Sequence, residues 1–130
     1  MLPEQLKTKP PLKVLIIDSD IGGRSSIAYA LSQAGFEAVT ASDCVAGLRK
    51  LSQIYPHLVL LAEALPNCDE TCLQICGFWH IPIIMLGNAP DDGAWLRAVA
   101  LGADAYLMKS IGKLELIARV KAILRRYQRE

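Results

Sequence analysis

The sequence predicts an α/β fold in which a doubly wound, five-stranded parallel sheet lies between two layers of helices. Three continuous apolar runs, at residues 14–17, 58–61 and 81–86, carry this prediction. Such runs are typical of strands buried on both faces, as in a parallel sheet. Segments with apolar residues at helical spacing alternate with these runs, and short alternating units of this kind give a doubly wound sheet.

Taken in order, the elements form five strand–helix units. The predicted strands cover residues 14–17, 36–40, 58–61, 81–86 and 105–107. The predicted helices cover residues 24–34, 43–54, 68–78, 92–101 and 113–127. In the fourth helix we expect Leu96 and Val99 to face the core, followed by Ala103. In the fifth, Leu116, Val120, Ile123, Leu124 and Tyr127 share one side at helical spacing.

Length and composition fit one domain with a sizeable core. The chain has 130 residues, of which 52% are hydrophobic and 21% charged. We expect residues 1–12 to form a flexible N-terminal arm, 13–127 to fold, and 128–130 to be a tail or the start of a linker. No apolar run approaches the ~18 residues of a membrane span. The polar, proline-rich start is unlike a signal peptide, so we expect a cytoplasmic protein with no membrane contact.

The net charge of +1 excludes strong non-specific nucleic-acid binding by the whole chain, and we expect no direct nucleic-acid contact. The charge is uneven, however. Residues 14–112 carry ten acidic and five basic residues, whereas residues 113–130 carry six basic and two acidic ones. This asymmetry predicts an acidic body with a basic last helix.

Three of the four cysteines lie at a helical spacing. Cys68, Cys72 and Cys76 fall on one stripe of a helix, and the outer two are then ~12 Å apart, too far to share one metal ion. No histidine has a matching spacing. We interpret these cysteines as small, semi-buried helix residues, neither metal ligands nor disulfide partners.

Polar residues follow the predicted strands, and in doubly wound folds function lies at the carboxyl ends of the strands. Acids follow the first strand and Lys109 follows the last, so the two could converge on a phosphate-sized site. The alternative interpretation is that strand-end acids are helix N-caps. We expect that role for Asp43 and for one of Asp91 and Asp92. The sequence contains no nucleotide-binding glycine loop and no nucleophile–base motif.

Five blocks in order resemble the receiver domain of two-component response regulators, the chemotaxis-regulator-like branch of the flavodoxin-like (βα)5 folds. The resemblance covers residues 13 to about 126. The blocks are Lys13–Asp20 (KVLIIDSD), Ala34–Glu37 (AGFE), Pro56–Asp69 with its Leu65-Pro66 turn, Ile81–Leu86 (IPIIML), and Leu101–Lys109 followed by Glu115–Val120. Each block alone is weak, but five in register make the resemblance strong.

The resemblance implies a set of functional residues that this sequence keeps only in part. In the family, acids after the first strand hold Mg²⁺, and an Asp ending the third accepts a phosphoryl group from a histidine kinase. A Thr or Ser ending the fourth and a Lys ending the fifth bind the phosphoryl oxygens. Here Ser19 replaces the second acid, Ala62 the acceptor and Gly87 the hydroxyl residue. The degenerate pocket comprises Asp18, Ser19, Asp20, Ala62, Gly87 and Lys109.

Chemistry decides what these replacements mean. A methyl group cannot accept a phosphoryl group. Mg²⁺ needs hard oxygen ligands, so we expect no cofactor, and at most weak Mg²⁺ binding at Asp18 and Asp20. Glu63 follows Ala62 and should point to the opposite side, away from the pocket. Lys109 is expected to pair with Asp18.

One peptide bond is also affected by the replacements. The family has a Lys-Pro bond, usually cis, where this chain has Lys109-Ser110. We expect this bond to be trans, because a cis bond before a residue other than proline costs ~2.5–4 kcal/mol.

Three functions remain open at this point. The first is a pseudo-receiver, which has the receiver fold, is not an enzyme, and acts by binding other proteins. The second is a working receiver that is phosphorylated at a non-standard residue or forms part of a transcriptional regulator. The third is an unrelated flavodoxin-like enzyme, which the lack of a nucleophile–base pair disfavours.

Receivers commonly bind partners through the fourth helix, fifth strand and fifth helix. On that surface we predict a contact for a histidine kinase, an effector domain or a second copy in a homodimer. The residues are Trp95 and Tyr106, with the basic residues Lys113, Arg119, Lys121, Arg125 and Arg126. Trp95 should lie off the core, as an interface anchor or folded along its own helix. Tyr106 resembles the family's mobile aromatic, and opposite Gly87 we expect it to keep one rotamer.

Overall fold

The computed structural model describes residues 9–88 and 91–128 and contains one parallel sheet of five strands. The strands are β1 (Lys13–Ile17), β2 (Glu37–Ala41), β3 (Leu58–Ala62), β4 (Ile83–Gly87) and β5 (Ala105–Met108). Their order across the sheet is β2-β1-β3-β4-β5. The doubly wound, flavodoxin-like fold predicted from the sequence is therefore confirmed.

Five helices cover the two faces of this sheet. They are α1 (Ile21–Gln33), α2 (Cys44–Ile54), α3 (Cys68–Gln74), α4 (Asp92–Ala100) and α5 (Lys113–Gln128). One π-helical turn, Ile75–Trp79, continues α3. Apolar residues of α1 and α5 pack on one face of the sheet, and those of α2, α3 and α4 pack on the other. This arrangement gives the three-layer sandwich.

Helix starts follow the expected capping chemistry at two positions. Asp43 Oδ1 accepts a hydrogen bond from the Ala46 N–H (2.7 Å), and Asp91 Oδ1 accepts one from the Ala94 N–H (2.8 Å). Side-chain caps of this kind satisfy backbone donors that have no partner within the helix. Both capping predictions are confirmed, and of Asp91 and Asp92 it is Asp91 that caps the fourth helix.

The first helix begins three residues earlier than predicted, at Ile21. Ile21 is exposed and two glycines follow it, so the first turn adds no apolar periodicity to the sequence pattern. The prediction was wrong at this boundary because it relied on that periodicity alone.

The core-facing side of α4 also differs from the prediction. Leu96 and Val99 are 57% and 45% exposed, whereas Ala94 and Ala98 are buried and Ala98 belongs to the core on that face of the sheet. The small alanine side chains let α4 approach the sheet closely, and the larger apolar residues are left on its outer side. Ala103, which follows the helix, is buried as expected.

The fifth helix buries the predicted residues with one exception. Tyr127 is 42% exposed, and its hydroxyl donates a hydrogen bond to Asp104 Oδ2 at 2.7 Å. The phenol is amphipathic, so its ring covers apolar surface while its hydroxyl stays at the edge. The other four apolar residues of that side are buried.

The cysteines are free thiols, as interpreted from their spacing. Cys68 and Cys72 are buried and Cys76 is half-buried. Burial raises the pKa of Cys68 and of Cys72 to about 12, so both are uncharged thiols at neutral pH. Cys76 Sγ lies 3.1 Å from the Gly102 carbonyl oxygen.

The ends of the predicted domain are only partly described. Leu12, within the predicted arm, packs against the α1–α5 side of the core. Residues 1–8 of that arm and 129–130 of the predicted tail lie outside the described residues. Within 9–88 and 91–128, no helix is long and apolar enough to cross a membrane.

Candidate functional site

The carboxyl ends of the strands meet at one edge of the sheet and form the candidate site. Strand register places Ile17 beside Leu61, Ala62 beside Leu86, and Gly87 beside Met108. The residues that immediately follow β1 and β5 therefore lie at the same edge as Ala62 and Gly87. This is the convergence that the sequence pattern predicted from topology.

An ion pair crosses this edge from β5 to β1. Lys109 Nζ lies 2.8 Å from Asp18 Oδ2, and the Asp18 side chain is only 4% exposed. Asp18 Oδ1 accepts the Asp20 N–H at 3.0 Å. Apart from Lys109, Oδ2 has no partner among the described residues. Because β3 and β4 lie between β1 and β5, the lysine side chain extends across the ends of both, and the predicted Asp18–Lys109 pair is confirmed.

The acidic residues after β1 do not form a ligand set for Mg²⁺. Lys109 already neutralises Asp18, and the exposed Ser19 supplies only a hydroxyl. One guanidinium nitrogen of Arg24 lies 3.1 Å from the Asp18 carbonyl oxygen, placing a second cation beside the acids. In the described part of the chain, no three side chains of metal-binding type come together. Mg²⁺ prefers near-octahedral oxygen ligands, so the groups present here do not fit it.

Ala62 ends β3 and is 2% exposed. It lies one position beyond Leu61, which pairs with Ile17, so its methyl group is next to the Asp18 position. The side chain offers no oxygen atom to a phosphoryl group or a metal ion.

Gly87 ends β4, and the space beside it is filled by two other side chains. A Cβ at position 87 would overlap the Tyr106 hydroxyl and Glu63 Oε1. The Tyr106 hydroxyl donates a hydrogen bond to Glu63 Oε1 at 2.8 Å. The phenol and the carboxylate thus occupy the volume where a larger residue would place its side chain.

The position of Glu63 corrects a prediction. Glu63 does not point away from the cleft but lines it, together with Gly87 and Lys109, in an open cavity of about 610 Å³. The alternation of side chains applies only within a strand, and β3 ends at Ala62. Glu63 lies beyond that end, where the chain has begun to turn.

Arg97 of α4 completes the charged lining of this cleft. Its guanidinium lies 2.9 Å from Glu63 Oε2, and this hydrogen bond raises the pKa of Arg97. Sequence reasoning missed Arg97, because 34 residues separate it from Glu63. No local spacing signals a contact of that range.

Comparison with known proteins assigns the chain to a family. Its sequence matches the model of the response regulator receiver domain over residues 14–121, most of the chain. The chain belongs to the response regulator receiver domain family. This receiver is 37% identical over 123 residues to a probable transcriptional regulator, ycf27, of Guillardia theta, covering 93% of the receiver and 48% of that protein.

Further relatives of the receiver agree. It is 35% identical over 117 residues to the alkaline phosphatase synthesis transcriptional regulatory protein PhoP of Bacillus subtilis, covering 88% of the receiver and 49% of PhoP. The receiver thus spans about half the length of these relatives. A two-component response regulator from Clostridium difficile superposes with a TM-score of 0.84 at 30% identity, covering 89% of the receiver and 98% of that chain.

The Lys109–Ser110 peptide bond of this receiver is trans, as expected without a proline at position 110. The backbone continues into a short turn in which the Ile111 N–H donates to the Met108 carbonyl oxygen at 3.0 Å. This turn leads from β5 into α5.

The predicted partner surface of the receiver is only partly contiguous. Trp95 is 51% exposed, which confirms that it lies off the core. Arg119, Arg125 and Arg126 line a shallow cavity beside β5 with Asp104. Lys113 and Lys121 instead line a groove between α1 and α5, on a different side of the helix. The prediction that all five basic residues share one face was therefore wrong.

Proposed function

We propose that this receiver acts in two-component signalling by protein–protein contact and is not phosphorylated. The observation that carries the proposal is Ala62, a buried methyl group at the end of β3 where the family resemblance requires the acceptor carboxylate. An acyl phosphate forms only on a carboxylate oxygen, and a methyl group offers none. We further propose that the domain catalyses no reaction of its own and works in the cytoplasm.

The electrostatics of the edge support the same proposal. Phosphorylation adds about −1.5 to −2 charges, which need a cation that is free to receive them. Lys109 is already paired with Asp18 at 2.8 Å, and Arg97 with Glu63 at 2.9 Å. Lys109 and Arg97, the two cations that line the cavity, are thus paired with carboxylates of the chain itself.

The test exposes the purified chain to acetyl phosphate with Mg²⁺ and measures its intact mass. We expect no phosphoryl adduct and no saturable, cleft-localised amide NMR shifts on adding Mg²⁺ and beryllofluoride. The double variant Ser19→Asp, Ala62→Asp should gain Mg²⁺-dependent shifts in the residues that follow β1 and β3. The matched control Ser19→Asn, Ala62→Asn has the same shape without the charge and should gain none. An adduct on the unaltered chain would refute the proposal.

The alternative is phosphorylation at another carboxylate of the same cleft. Glu63 and Asp69 both line it, so they are the residues to examine if an adduct forms. Both oxygens of Glu63 already accept hydrogen bonds, one from Tyr106 and one from Arg97. Peptide mapping of any adduct would identify the residue, and Glu63→Gln or Asp69→Asn should then abolish it.

For the partner surface we propose the outer side of α4 together with the arginines beside β5. Trp95, Leu96 and Val99 are all about half exposed and lie on neighbouring positions of the helix. Arg119 and Arg126 line a cavity beside Asp104 and Ala105, at the start of β5. An apolar centre with a basic border suits a protein partner that has an acidic patch, and its association should weaken with salt.

The variant Trp95→Ala, Arg119→Glu tests this surface. The double variant should show weaker self-association in sedimentation and weaker binding to a kinase or effector domain. Rising salt should weaken the same two associations of the unaltered chain. Lys121→Glu is the matched control, because it makes the same charge change in the α1–α5 groove. If the double variant binds as well as the control, the interface lies elsewhere.

A second candidate is that the domain is the receiver part of a longer transcriptional regulator. Relatives named as transcriptional regulators, which are about twice as long as the matched region, favour it. DNA binding by the full gene product, lost on removing sequence outside the receiver, would support this candidate. A full gene product that consists of the receiver alone would refute it.

A further inference from the structure

The hydrogen-bonded group beside Gly87 ties together three parts of the receiver that are distant in sequence. Glu63 follows β3, Tyr106 lies on β5, and Arg97 lies on α4. One oxygen of the Glu63 carboxylate accepts the Tyr106 hydroxyl at 2.8 Å, and the other accepts the Arg97 guanidinium at 2.9 Å. Hydrogen bonds to an ionised carboxylate are about twice as strong as those between neutral groups.

The group exists only because position 87 has no side chain. Gly87 is buried at the end of β4, and a Cβ there would overlap both the Tyr106 hydroxyl and Glu63 Oε1. Even alanine would therefore require the phenol or the carboxylate to move. Glycine at position 87 therefore does more than remove a hydroxyl group, because the Tyr106–Glu63 hydrogen bond requires it.

The same group positions the outer side of α4. Arg97 belongs to the same helix as Trp95 and Val99, and α4 contributes few large side chains to the core, since its buried residues are Ala94 and Ala98. The two buried alanine methyl groups remove little apolar area from water, so they contribute little to holding α4 in place. The Arg97–Glu63 contact therefore adds a charged contact between α4 and the residue that follows β3, although the Arg97 side chain is 55% exposed.

We propose that Tyr106, Glu63 and Arg97 form a built-in latch, which fixes α4 and its exposed apolar side in one arrangement without any bound phosphoryl group or metal ion. The proposal rests on the proposed function, because it describes how the partner surface of an unphosphorylated receiver is kept in place. The carboxylate of Glu63 supplies a negative charge at the cleft from inside the chain.

The test compares hydrogen exchange in variants of the full chain, with no phosphoryl donor present. Tyr106→Phe removes one hydroxyl, and Glu63→Ala removes the carboxylate. We expect amide exchange in residues 92–100 to rise about tenfold in Tyr106→Phe and by more in Glu63→Ala, because each loses charge-assisted contacts. Amides of α1 and α2 should keep their rates. Tyr29→Phe is the matched control, since it removes the same hydroxyl from an exposed tyrosine of α1.

The two tryptophan indole N–H signals provide a second readout. Trp95 lies on α4, and Trp79 lies at the end of the π-helical turn. The Trp95 signal should shift or broaden in both variants while the Trp79 signal stays in place. Gly87→Ala should displace Tyr106 and give the same pattern. If Gly87→Ala fails to fold, Tyr106→Phe still tests the latch, because that change adds no atoms to the cleft.

Unchanged exchange in α4 together with an unchanged Trp95 signal, in both Tyr106→Phe and Glu63→Ala, would overturn the latch. These measurements need no phosphoryl donor, whereas the proposed function is tested by a mass change with acetyl phosphate. A phosphorylated chain with a responsive α4 would refute the function and keep the latch. If the chain is not phosphorylated and α4 is unchanged in the variants, the latch is refuted and the proposed function stands.

Discussion

Removing Lys109 should destabilise the domain more than neutralising its partner. In Lys109→Met the Asp18 carboxylate, only 4% exposed, keeps the Asp20 N–H but loses its cation. Stranding a buried charge costs about 3–5 kcal/mol. The lysine side chain is 24% exposed, so water can enter as it leaves. We therefore expect about 3 kcal/mol, a large part of the ~5–15 kcal/mol typical of a folded domain.

Asp18→Asn instead removes the negative charge and keeps the ammonium of Lys109. The amide oxygen can still accept the Asp20 N–H, and the partly exposed ammonium of Lys109 can be hydrated, so we expect a loss of only about 1–2 kcal/mol. In the double variant no charge is stranded, and its loss should be about 1–3 kcal/mol smaller than the sum of the single losses.

Urea unfolding of the four proteins, followed by circular dichroism, measures these differences through shifts in the midpoint at an unchanged slope. A loss under about 1 kcal/mol in Lys109→Met would contradict the reasoning. So would an Asp18→Asn variant that is less stable than Lys109→Met, because the asymmetry follows directly from the different exposure of the two side chains.

Four further predictions concern other parts of the fold. The pKa of about 12 for Cys68 and Cys72 means that iodoacetamide at about pH 8 should modify neither thiol until urea unfolds the chain, and rapid labelling of the folded chain would contradict it. Because these pKa values lie above the ordinary 9.0, the stability they contribute is complete below about pH 9 and is lost as the pH rises towards 12, which urea titrations at several pH values can follow. Gly47→Ala would overlap the Ile17 side chain and should cost about 1–3 kcal/mol in urea unfolding, whereas Gly77→Ala, in open space, should not. Asp43→Ala removes the cap of α2 and should cost about 1 kcal/mol, while Asp43→Asn should retain most of the stability.

The sequence predicted the central strands well, for a physical reason. Every residue of β3 and of β4 is buried, so a continuous apolar run is the only pattern that these strands can have. The Asp18–Lys109 pair was also predictable, because parallel strands bring their carboxyl ends to one edge. The strands are constrained over short, contiguous segments, whereas the pair follows from the parallel topology although its two residues are far apart in sequence.

The fourth helix shows where such reasoning stops. Its sequence offers two apolar stripes, one of Ala94 and Ala98 and one of larger residues that includes Leu96 and Val99. Helical periodicity finds both stripes but cannot choose between them, and greater hydrophobicity selects the wrong one. Which stripe faces the core depends on the distance between the helix and the sheet, and that distance is a property of the tertiary structure.

The cleft shows the same limit for polar residues. The orientation of Glu63 depended on whether β3 ended at position 62 or continued beyond it, and strand ends are less certain from sequence than strand centres. Its contact with Arg97 joins positions 63 and 97 across two elements. The sequence marked the missing groups at the cleft, whereas only the structure identified those that replace them.

The methyl group of Ala62 beside Asp18 also bears on how such a domain evolves. A carboxylate at 62 would be placed against the carboxylate of Asp18, and the two like charges would repel each other with Lys109 as their shared counter-ion. Active sites commonly carry strain of this kind at the expense of stability. With a methyl group at position 62 that repulsion is absent, so we expect Ala62→Asp to lower the free energy of unfolding. We therefore expect a return to a carboxylate at position 62 to be opposed by selection for stability.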